Sequence, residues 1–84
     1  MIKPTIHNNG TSRQALFDQV LNAGYKIYDA LKALEAACPN GRDYYPQGAD
    51  AINKAMAEHT VRHHKLKEVW DDMQELATHI SDAE

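Results

Sequence analysis

Little in this 84-residue chain can break a helix or tie one segment to another. Its single cysteine, Cys38, leaves no internal disulfide and no four-cysteine zinc site. Of three prolines and four glycines, all but Gly24 fall within residues 4–10 and 39–48, so long stretches run without a punctuating residue. No apolar run approaches the roughly 18 residues of a membrane span. The start lacks the apolar segment of a signal peptide, so the expected location is the cytoplasm. Positive charge is scarce as well. Nine Lys and Arg stand against twelve Asp and Glu, a net charge of −3, whereas phosphate binding wants a basic face. What is present is 43% hydrophobic residues, enough for one small core and one domain.

The sequence divides into an arm and a hairpin. Residues 1–10, with Pro4, Asn8, Asn9 and Gly10, read as a flexible N-terminal arm, and residues 11–84 as a helical hairpin domain. Thr11 or Ser12 is placed to cap the first helix, and Thr11 with Gln14 has capping-box spacing. From about 12 to 38 the pattern is helical, with two apolar stripes. One runs through Leu16, Val20, Ala23, Ile27, Ala30 and Leu34, the other through Phe17, Leu21, Gly24, Tyr28 and Leu31. Gly24 either permits a close helix crossing or is a weak point costing about 1 kcal/mol relative to Ala. Pro39, Asn40 and Gly41 stop this helix, and Pro46 and Gly48 keep the loop at 38–48 non-helical.

From about 49 to 80 there is neither Gly nor Pro, and Ile52, Met56, His59, His63, Leu66, Trp70, Met73, Ala77 and Ile80 keep a strict heptad. Two long helices and a short loop predict an all-α fold, an antiparallel hairpin. Neither helix can bury both of its stripes against the other, so two copies are expected to associate into a four-helix bundle.

Chemistry finds little footing. His59 and His63, four apart and near Glu58, could chelate a metal, with His7 as a further donor, but no third ligand follows at a recognised spacing. The alternative places both rings in the interhelical seam, which predicts a fold that weakens between roughly pH 6 and pH 5 as neutral imidazoles become charged. Cys38 ends a helix, where the negative dipole disfavours a thiolate, and reads as a semi-buried structural thiol. No phosphate-binding glycine loop is present, and no cofactor or enzymatic activity is expected.

Three patches suit a protein partner instead. They are the hairpin tip (Arg42, Tyr44, Tyr45), the second stripe of the first helix (Phe17, Leu21, Tyr28) and the acidic end of the second helix (Asp71, Asp72, Glu75). The second stripe serves equally as a homodimer seam. The basic middle of the second helix (Arg62, Lys65, Lys67) leaves a DNA-binding regulator as a further alternative, without the spacing of a helix-turn-helix.

The loop AsnGlyArgAspTyrTyrProGlnGly at 40–48, followed by Ala57, Glu58, His59 and Arg62, resembles small bacteriophage and prophage proteins in which a similar loop joins two helices. In size and shape the chain is similar to the phage quorum-sensing anti-activator type. That resemblance implies a dimeric helical hairpin that binds a host bacterial protein, such as a transcriptional regulator, and blocks it without catalysis. It covers mainly residues 40–66 and carries no binding residue over to this chain.

Overall fold

Ser12 sets the start of the first helix. Its backbone is extended, and its hydroxyl accepts the Ala15 N–H at 3.2 Å, satisfying one of the donors a helix N-terminus leaves open. The expected Thr11–Gln14 box does not form, because Gln14 donates to Asp18 at 2.8 Å. The structure, a computed structural model, describes residues 1–83. Helix α1 spans Arg13–Ala36 and helix α2 spans Ala51–Asp82. Both lie within about two residues of the bounds read from periodicity, with helix ends the least certain feature of such a reading.

The helices run antiparallel. From the open end to the tip, Arg13 Nη1 donates to Ala83 O at 2.7 Å, Tyr28 and Trp70 lie 6.3 Å apart by ring centroid, and Glu35 Oε1 sits 3.2 Å from His63 Nε2. The pair is long and thin, 61 × 20 × 17 Å.

The 38–48 loop is more ordered than a non-helical reading implies. Two 3₁₀ turns, Gly41–Asp43 and Tyr45–Gln47, carry the chain across. Asn40 starts the first by accepting the Arg42 N–H at 3.0 Å. Gly48 then redirects the backbone towards α2 at φ 111°, ψ 166°, a region open essentially to glycine alone. Tyr44 is half-buried and Tyr45 exposed, so only one of the two rings covers the helix ends.

Among the described residues, only Leu31, Ala77 and Ile80 are buried apolar side chains, joined by Gly24 and His59. Cys38, expected to be semi-buried, is exposed, with its Sγ 3.6 Å from Met56 Sδ. The arm lies against the far end of α2. Lys3 pairs with Glu75 at 3.0 Å, and His79 Nε2 is 2.8 Å from Pro4 O.

Candidate functional site

Because α1 and α2 make a single layer, the hairpin has two broad faces, and the helical repeat of 3.6 residues sorts side chains between them. Gly24, Leu31, His59 and Ala77 point inward and are buried. The second stripe of α1 thus supplies the buried seam positions Gly24 and Leu31 but leaves Tyr28 exposed, while most of the first stripe is half-buried.

One face is aromatic and charged. Leu21 and Tyr28 stand there with Met56, His63 and Trp70. Lys32 Nζ lies 5.2 Å from the Tyr28 ring centroid and Lys67 Nζ 5.1 Å from that of Trp70, close enough for cation–π attraction. Tyr28, Leu31, Lys32, Glu35, His63, Lys67 and Trp70 line a recess of about 190 Å³. Both ammonium groups are shared with acids, Lys32 with Glu35 at 3.5 Å and Lys67 with Asp71 at 2.7 Å. The hydrogen bond from His63, and then the Lys32 charge, hold the Glu35 carboxyl below its ordinary value. Glu35 in turn, with the Tyr28 ring beside it, raises Lys32.

The opposite face is aliphatic. Leu16, Val20, Ala23, Ile27 and Leu34 of α1 line it beside Ala55, Leu66, Val69, Met73 and Leu76 of α2. None of these is buried: Val69 is 43% exposed and the others are half-buried. Between Leu16 and Leu34 the α1 half of this face carries no charge. On α2 the Glu58–Arg62 pair, 3.3 Å apart, neutralises itself at the tip end, and Lys65 and Asp72 stand on the rim.

The sequence-derived candidates therefore fall in separate places. Phe17, half-buried, lies in the seam, where it borders a shallow recess with Leu21 and Ala77. Leu21 and Tyr28 share the aromatic face. Arg42, Tyr44 and Tyr45 are at the tip, with Tyr45 76% exposed. Asp71 and Glu75 are tied to Lys67 and Lys3, and Asp72 is exposed. Trp70 and Lys32 escaped the reading as a site, Trp70 because it looked like one more seam residue of the heptad, and Lys67 was read only as part of the basic middle of the second helix. Which stripe of α1 stays open was equally hidden, since both have helical spacing.

The metal alternative does not gain a ligand set. His59 is buried and His63 half-buried and paired with Glu35, and no group of three or more His, Cys, Asp or Glu that could hold a metal ion exists among the described residues. In the basic middle of α2, Arg62 is paired with Glu58 and Lys67 with Asp71. Among the described residues, no helix is long and apolar enough to cross a membrane. Comparison with protein-family models, with curated proteins and with solved structures finds no match to this chain.

Proposed function

We propose that this protein is a non-catalytic protein–protein interaction module, a phage-encoded homodimer that binds and inhibits a host bacterial protein such as a transcriptional regulator. One observation carries the reading: two long helices leave most of their apolar positions half-buried or exposed, with only three apolar side chains buried among the described residues. Burying one large apolar side chain is worth about 1.5–3 kcal/mol, so such open faces drive association with other protein surfaces. The aromatic face suits the host protein. Trp and Tyr are the side chains that most often anchor interfaces, and here they are exposed or half-buried, flanked by lysines that give orientation. The tip, with Tyr45 exposed beside Arg42, extends that surface.

The test is capture from bacterial lysate with the tagged full chain, read by mass spectrometry at low and high salt. The expected result is one dominant host protein in near-equal amount, lost with Tyr28→Ala or Trp70→Ala. Retention at high salt assigns the affinity to the rings, and loss at high salt to the charges around them. Recovery of the bait alone overturns the host-binding reading.

A further inference from the structure

We infer that the aliphatic face is the seam of the homodimer, and that a second copy of this chain covers it. This inference rests on the interaction-module reading and specifies which of its surfaces is spent on self-association.

The surface area supports an occupant of this size. A compact monomer of 9.5 kDa exposes about 5,000 Å². This chain exposes 6233 Å². The excess, about 1,200 Å², exceeds the roughly 800 Å² that each partner gives up in a standard interface. The aliphatic face is where that excess is least polar. Its α1 half is free of charge from Leu16 to Leu34, and its single ion pair on α2 is internally neutral. The aromatic face is a poorer seam, because stacking two copies on it would desolvate Lys32, Glu35, Lys67 and Asp71 from both.

The experiment is light scattering after gel filtration on the full chain at micromolar concentration, with circular dichroism on each variant. Wild type is expected at twice the 9.5 kDa chain mass. Val69→Asp, at a position already 43% exposed, is expected to keep its helicity and to weaken self-association about 30-fold or more, the effect of losing one interface hot spot. Val61→Asp, 53% exposed on the outer side of α2, is expected to leave the dimer intact. A helical Val69→Asp that remains dimeric, or a dimer broken instead by Tyr28→Asp, overturns the seam while leaving homodimerisation standing. A wild-type monomer overturns both dimer statements but leaves host binding to be judged by capture.

Discussion

A methyl group added at position 24 would lie 3.5 Å from Gln74 Nε2 and 3.6 Å from Met73 Cβ, ordinary contact distances. The helix crossing does not depend on this glycine. Gly24→Ala is therefore expected to raise stability by up to about 1 kcal/mol through helix propensity, visible as a higher urea midpoint at unchanged slope. Gly48 is the opposite case. At φ 111° any side chain is strained although the space around it is empty, so Gly48→Ala is expected to cost about 1–3 kcal/mol in the same measurement. Glu35 gives the acid response its sign. Its folded carboxyl is held below the ordinary value of 4.5, by His63 first and Lys32 second. Its contribution is present above about 4.5 and is lost as pH falls through the lower folded value. Lys32, raised above 10.5, contributes below that value and loses its share as pH rises past the folded one. Both groups are exposed and salt-screened, so the acid limb of a thermal-melting profile is expected to flatten in Glu35→Gln and in high salt, without a large change at neutral pH.

At the scale of the elements, the end of α2 shows how one segment compensates for another. Asp71, Asp72, Glu75 and Asp82 all oppose the helix dipole, and taken alone they suggest a fraying end. The helix nevertheless continues to Asp82. Arg13, from the first turn of α1, donates to the Ala83 carbonyl, while Lys3 of the arm engages Glu75 and His79 meets the Pro4 carbonyl. Arg13 and Lys3 bring positive charge to a helix end whose own last turn offers His79 as its basic side chain. Deleting residues 1–9 is expected to cost about 1–2 kcal/mol, the worth of one part-buried hydrogen bond and one exposed ion pair, and to speed amide exchange in the last two turns of α2. Unchanged exchange there would mean that Arg13 alone secures the helix end.

The whole molecule is a single layer of two helices, and a single layer has no inside. Each helix is amphipathic over more than half its circumference, and one neighbour can cover only part of that. For the homodimer proposed above, stability depends on concentration, because unfolding separates two copies. The melting temperature is expected to rise by about 3–5 °C for each tenfold increase in protein, and to become independent of concentration in Val69→Asp.

How much of this was legible in the chain differs by level. The lack of Gly and Pro from 49 to 80, the strict heptad and the stop at Pro39–Asn40–Gly41 determined two long helices and the reversal between them, because local propensity and spacing act within a few residues. The tip was read only as a break in helix, since 3₁₀ turns depend on local hydrogen bonds such as that from Arg42 to Asn40, which leave no periodic signal. The two apolar stripes of α1 were visible as stripes, but their roles were not. Burial of Gly24 and Leu31 follows from how α1 rotates against α2, and rotation is set by contacts between residues tens of positions apart, such as Tyr28 with Trp70 and Glu35 with His63. The sequence by itself determined the helices and their amphipathicity. Only the tertiary structure decided which flank was consumed by the hairpin and which remained for other molecules, because facing is a property of paired elements and is not written in either one alone.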